Sequence, residues 1–221
     1  MATVLPTVLP AHWTVADMLK HLSVPAERVR LHPPPGMATE EDVLEVHRQT
    51  GRLCELIDGV LVEKIVGYYE SVLAGILLHY LNAYLDRRPL GAAAGEGGML
   101  RVLPSQVRIP DVSFVRWERF PGGKPSRADP LPAIAPDLAV EILSEGNTRP
   151  EMERRLREYF EGGSRLVWLI DPADRSARVY TSPEDCTTLT EDDILDGGDV
   201  LPGFQFRLGE LFLRAEQGAS E

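Results

Sequence analysis

Four residues stand where ordinary surface polarity does not explain them. Glu141 interrupts the apolar run Leu138-Ala139-Val140-Glu141-Ile142-Leu143. Such a run fits a central strand covered on both faces, where a carboxylate is costly unless it is paired or bound to a metal. Read alone, Glu141 is equally a strand-end glutamate facing solvent. Asp111 follows Pro110 and opens the β-rich run Asp111-Val112-Ser113-Phe114-Val115; alone it suits a turn or a cap. Two adjacent strands, however, can aim both carboxylates at one point. Like charges that close need a cation, and hard oxygen donors favour magnesium or manganese. Such an ion activates water and stabilises charge on a phosphoryl group.

Glu70 and Arg155 are the other two candidates. On a helical wheel Glu70 lies near the apolar face of its helix, within reach of a sheet beneath; the plainer alternative is a first-turn glutamate favoured by the helix dipole. Arg155 sits at the edge of a helix face that buries Met152, Leu156, Tyr159 and Phe160. From there it can reach the sheet end that carries Glu141, or it can snorkel to a surface acid.

The elements that must position these residues are legible in outline. Thr14 caps a short helix through Leu22, and Thr39-Glu40-Glu41-Asp42 opens a second that ends near Gly51. Two β-rich runs joined by Asp58-Gly59 predict a hairpin. The three-and-four spacing of Leu73, Ile76, Leu77, Tyr80, Leu81 and Tyr84 predicts a helix from Tyr68 to about Arg88. Two or three strands follow to Trp117, then a Pro- and Gly-rich loop over 120–136, then the Glu141 strand. A helix from Pro150 to Gly162 precedes paired strands over 165–170 and 176–180, and a small helix lies at 209–214. This order implies an α/β domain with a mixed sheet.

Composition bounds the class. The chain has 221 residues, is 43% hydrophobic and 26% charged, and has room for one sizeable core. No apolar run approaches the roughly 20 residues that span a bilayer, and Met1 to Pro10 lacks a basic segment, so neither a membrane span nor a signal peptide is expected. Cys54 and Cys186 are in no metal-like or redox spacing, which makes a reduced cytoplasmic protein the expectation. The net charge of -11 argues against nucleic acid as a partner. Its distribution softens that. Residues 182–221 hold ten acidic residues and two arginines, whereas 99–130 hold six basic and three acidic, so the middle of the chain is expected to face phosphates. Only Lys20, Lys64 and Lys124 are lysines among 23 basic residues.

Taken in order, Cys54-Glu55-Leu56-Ile57-Asp58-Gly59, Pro110-Asp111-Val112, Val140-Glu141-Ile142-Leu143-Ser144, Arg155-Leu156 to Tyr159 and Val167-Trp168-Leu169-Ile170-Asp171-Pro172 resemble the Uma2 family, over about residues 45–210. That family is similar in fold to the restriction endonucleases of the PD-(D/E)XK superfamily. The resemblance implies a restriction endonuclease-like mixed β-sheet flanked by helices, preceded by a hairpin and a helical extension, with an accessory segment over 1–38, the domain over 39–215 and a tail over 216–221. It implies a metal-dependent phosphodiesterase site in which Asp111 and Glu141 hold Mg2+ or Mn2+, with Glu70 and Arg155 beside them. The superfamily's lysine two residues beyond the second acid is Leu143 here, and the family's helix-borne lysine corresponds to Arg155. Arginine stays charged and is no general base, yet it can stabilise a phosphorane-like transition state. The implied function is DNA endonuclease, acting as a homodimer because cutting two strands needs two sites. The alternative is a catalytically impaired nuclease-fold binding module; RNA or another phosphodiester is left open by fold analogy. Every catalytic version requires Asp111 and Glu141 on one face of the sheet.

Overall fold

The computed structural model describes residues 9–217. The first eight residues, with their part of the Met1–Pro10 stretch, and most of the expected 216–221 tail lie outside the described residues. Capping residues set the helices. The α1 helix (Val15–Leu22) begins with a reciprocal Thr14–Asp17 capping box, and α2 (Glu40–Thr50) with the same arrangement of Thr39 and Asp42. The strands β1 (Cys54–Ile57) and β2 (Val60–Glu63) pair across Asp58 and Gly59, both at positive φ (50° and 74°), which suits a tight hairpin. Gly59 also meets a second constraint: a Cβ there would lie 2.7 Å from the Gly36 carbonyl oxygen.

The long helix α3 (Tyr68–Leu85) follows. The strands expected before Trp117 divide between two sheets: β3 (Gly91–Gly95) and β6 (Val112–Arg116) join one, while β4 (Leu100–Leu103) and β5 (Gln106–Arg108) join the other. Then come β7 (Leu138–Ile142), α4 (Arg149–Glu161), β8 (Leu166–Asp171) and β9 (Ser176–Tyr180). The chain continues through β10 (Cys186–Leu189), β11 (Ile194–Asp196), β12 (Gln205–Arg207) and α5 (Leu208–Glu216). The main sheet is six-stranded in the order β10-β9-β8-β7-β6-β3, and a second is four-stranded in the order β2-β1-β5-β4. In the main sheet β7 and β8 run parallel and their neighbours antiparallel, so the mixed α/β expectation holds.

The two faces of the main sheet differ by one residue of strand register. Val112, Val140, Trp168 and Ile170 point toward α3 and α5 and form the largest apolar core. Ala139, Val167 and Leu169 point the other way, under Met152, Leu156 and Tyr159 of α4. The four-stranded sheet has its own core against α2, while Leu100 and Val102 of β4 join the apolar cluster under α4. The N-terminal segment is anchored to this framework: α1 covers Ile57, Val60 and Val62, and Thr148, the α4 cap, donates to the Ser23 carbonyl. Among the described residues no helix is long and apolar enough to cross a membrane.

Candidate active site

Sheet register brings Asp111 and Glu141 together. The antiparallel β6–β7 ladder pairs Val112 with Val140, so one further step sets Asp111 opposite Glu141, and the Asp111 amide donates to the Val140 carbonyl at 3.0 Å. Both side chains therefore project from the face that carries Ala139, the face under α4, where cross-strand neighbours have Cβ atoms about 5 Å apart. Asp111 is 6% exposed and Glu141 4%. Asp111 Oδ2 accepts the Ile142 amide at 2.6 Å, and its Oδ1 lies 2.8 Å from Lys64 Nζ. Glu141 Oε1 accepts Tyr159 Oη at 2.5 Å and an Arg155 terminal nitrogen at 3.1 Å.

Glu70 borders the same small cleft as Asp111, Glu141, Lys64 and Arg155. It stands in the first turn of α3 and folds its carboxylate back over Gly67: a Cβ on Gly67 would come within 1.9 Å of Glu70 Oε2. The cleft has a volume of about 20 Å3, room for one water- or ion-sized body. Among the described residues no group of three or more His, Cys, Asp or Glu side chains is placed to hold one metal ion. The acidic centre is thus the Asp111–Glu141 pair, with Glu70 at its border. A much larger groove of about 590 Å3 adjoins it and shares Glu70, Ser144 and Asn147 with it.

Arg155 reaches Glu141, as its place on α4 suggested, but does far more. One terminal nitrogen donates to Glu55 Oε1 at 2.9 Å and to Glu141; the other donates to Glu55 Oε2 at 2.8 Å and to Glu151 at 3.1 Å. Glu55 also accepts Arg108 at 3.0 Å and the Ile109 amide at 3.1 Å. The chain of buried pairs extends through Arg108 to Glu158 and through Glu151 to Arg28 of the N-terminal segment. Sequence reading missed Glu55, Glu151, Arg28, Arg108 and Lys64. Glu55 alone carried a signal, an acid inside the short β-rich run Leu53 to Ile57; the others become visible only when the second sheet is folded against α4.

This lattice sets the charge states. Burial raises the carboxyl pKa of Glu141 above its ordinary value, against the pull of Arg155 and Lys64. Burial pushes Glu55 the same way, but Arg155 and Arg108 outweigh it and hold that carboxyl down at about 2. For Arg155 desolvation opposes its charge, yet Glu141, Glu55 and Glu151 prevail and raise its pKa well above the usual value. Burial and the neighbouring Glu141 carboxylate raise Tyr159 well above an ordinary phenol, which keeps it a hydrogen-bond donor.

Of the six cations in the basic stretch 99–130, Lys124 and Arg127 lie on an exposed loop, and the others are engaged within the chain. Arg108 is 1% exposed between Glu55 and Glu158, and Arg101 pairs with Glu40. Arg116 donates to the carbonyls of Asp199 and Val200, and Arg119 to that of Gly163. The summed charge of a segment says nothing about where its side chains point, and here four of the six cations face internal acceptors.

The fold and this geometry define a protein of the restriction endonuclease-like class. The family described as "Putative restriction endonuclease", Uma2, matches residues 40–209, and the chain belongs to it. The crystal structure of a protein from Anabaena variabilis, titled a putative nuclease belonging to DUF820, is similar in fold, with a TM-score of 0.66 and 20% identity over 75% of this chain and 93% of that one. No curated protein matches the chain.

Proposed function

We propose that the protein is a divalent-metal-dependent endonuclease that hydrolyses DNA phosphodiester bonds at the Asp111–Glu141 pair. The observation that carries this reading is their placement side by side on one sheet face, at the border of an ion-sized cleft. The donor set fits Mg2+ or Mn2+: both groups are hard oxygen ligands, and the hydrogen bonds to Glu141 fall on Oε1, which leaves Oε2 to the cleft. When bound there, the ion supplies Lewis-acid polarisation of the phosphoryl group and a more acidic water.

The chain's own residues do the rest. Asp111 is fixed by the Ile142 amide, and Tyr159 with Arg155 fixes the rotamer of Glu141, so the two ligands stand preorganised. Glu70 at the border orients the attacking water or completes the metal's shell. Water adds to phosphorus as one ester P–O bond breaks, giving a phosphate monoester and a hydroxyl group. Arg155, held by three carboxylates, serves as a positioning residue rather than as a direct contact to the phosphate. The reading extends to a homodimer, since severing both strands takes two sites, and to the cytoplasm, where the free thiols of Cys54 and Cys186 stay reduced.

A nuclease-fold binding module is the second reading. One observation favours it: Lys64 and Arg155 already balance the charges of Asp111 and Glu141. Plasmid cleavage with Mg2+ or Mn2+ separates the two. The endonuclease reading expects cleavage that Asp111→Ala or Glu141→Gln reduces at least ~100-fold; full activity in Asp111→Ala would eliminate it.

A further inference from the structure

We propose that Lys64 is the residue that contacts the scissile phosphate, a role that rests on the hydrolytic reading of the Asp111–Glu141 pair. Three cations border the cleft between those carboxylates: Arg28, Lys64 and Arg155. Arg155 is 2% exposed; both of its terminal nitrogens are engaged, by Glu55, Glu141 and Glu151, and its Nε is enclosed without a partner among the described residues. Arg28 is 4% exposed and bound to Glu151 and to the Glu63 carbonyl. Turning either guanidinium toward a substrate would break buried ion pairs.

Lys64 is different. It stands just beyond β2, its amide bonded to the Leu53 carbonyl, so its backbone is fixed by the hairpin. Its side chain is 6% exposed, with the ammonium 2.8 Å from Asp111 Oδ1 and donating to the Ile109 carbonyl. An ammonium has three donors; these two partners leave one for the cleft that Lys64 lines. In a chain with 20 arginines and 3 lysines, this position carries the compact point charge.

In the hydrolytic step the water oxygen bonds to phosphorus as the leaving ester oxygen departs, and negative charge builds on the non-bridging oxygens. The third N–H of Lys64 donates to one of them. Lys64 acts here only as a hydrogen-bond donor, and no proton is transferred from it. Because Lys64 also touches Asp111, one donor set fixes a metal-binding carboxylate and the phosphate it acts on in a single geometry.

The test is a cycle between enzyme and substrate. Wild type and Lys64→Met are compared on an oligonucleotide whose cleaved linkage is a phosphate or either phosphorothioate diastereomer. The proposal expects Lys64→Met to lower kcat ~100-fold or more with a smaller change in KM. It also expects one diastereomer's sulfur effect, about tenfold in wild type, to vanish in the variant. A lysine that merely balances Asp111 would leave that sulfur effect intact, and that result, or a Lys64→Met rate within threefold of wild type, overturns the proposal. Lys64→Gln, with a donor and similar volume, takes its place if thermal melting shows that the methionine variant fails to fold. If wild type cleaves nothing with Mg2+ or Mn2+, the hydrolytic reading fails separately. Fluorescence anisotropy of an oligonucleotide in Ca2+ then decides the phosphate contact alone: about tenfold weaker binding by the variant supports it, and equal binding refutes it.

Discussion

The two faces of the six-stranded sheet are built from the same strands and differ by a single residue step. On one, Val112, Val140 and Trp168 meet α3 and α5 in a dry core. On the other, Glu141 meets Arg155 of α4 in a lattice of buried ion pairs, and Asp111 beside it is paired with Lys64. The apolar face holds the fold by burial, at about 25 cal/mol per Å2 of apolar surface. A buried ion pair adds little net stability over an apolar pair of similar shape, while breaking one is costly. The lattice therefore holds two carboxylates in fixed rotamers, and the opposite face supplies the stability that tolerates it.

Breaking the comparison takes one truncation on each face. Trp168→Ala and Arg155→Ala should each cost about 3–5 kcal/mol, by cavity formation in the first case and by uncompensated carboxylates in the second. Urea titrations at several pH values separate them: the Trp168→Ala loss stays constant, whereas the Arg155→Ala loss shrinks in acid as Glu55 and Glu141 become neutral.

The next effect is acid stability. Glu55 has its folded pKa held at about 2 against an ordinary 4.5. Its contribution, on the order of 3 kcal/mol, is therefore fully present above pH 4.5 and lost as pH falls through about 2. Glu141, raised by burial, acts with the opposite sign: it gains protons more readily folded than unfolded and so favours the native state as pH falls. Glu55→Gln should flatten the acid limb of stability measured by thermal melting; an unchanged limb would mean the Glu55 pairs carry none of it.

Smaller effects sharpen the picture. Gly67→Ala places a methyl group where the Glu70 carboxylate lies, and that flexible side chain must swing away from the cleft. The expected result is an unchanged melting temperature with several-fold slower cleavage; unchanged cleavage would remove Glu70 from the site. Trp168→Phe removes a buried indole N–H that has no partner among the described residues. That gain offsets the lost volume, so the change in stability should stay within about 1 kcal/mol.

Much of the fold was legible because it depends on local signals. Thr14, Thr39 and the Asp58-Gly59 pair mark helix starts and a hairpin through short-range hydrogen bonds and φ preferences. The apolar run around Glu141 identified a central strand for the same reason. Asp111 and Glu141 were recognisable because an acid at or inside a buried strand contradicts its surroundings. Lys64, Arg28 and Glu151 do not contradict theirs: each is ordinary in its segment and is distinguished only by contacts with distant segments, such as the Arg28–Glu151 pair. The division of the middle strands between two sheets was hidden likewise, since register with β1 and β6 is a tertiary choice.

The central claim is that the Asp111 and Glu141 carboxylates share one cation. A crystal grown with Mn2+ and measured at the manganese absorption edge tests it directly. A single anomalous peak is expected in the cleft, in contact with an oxygen of each carboxylate and absent in Glu141→Gln. Anomalous density bound elsewhere, or bound equally well without Glu141, would contradict it.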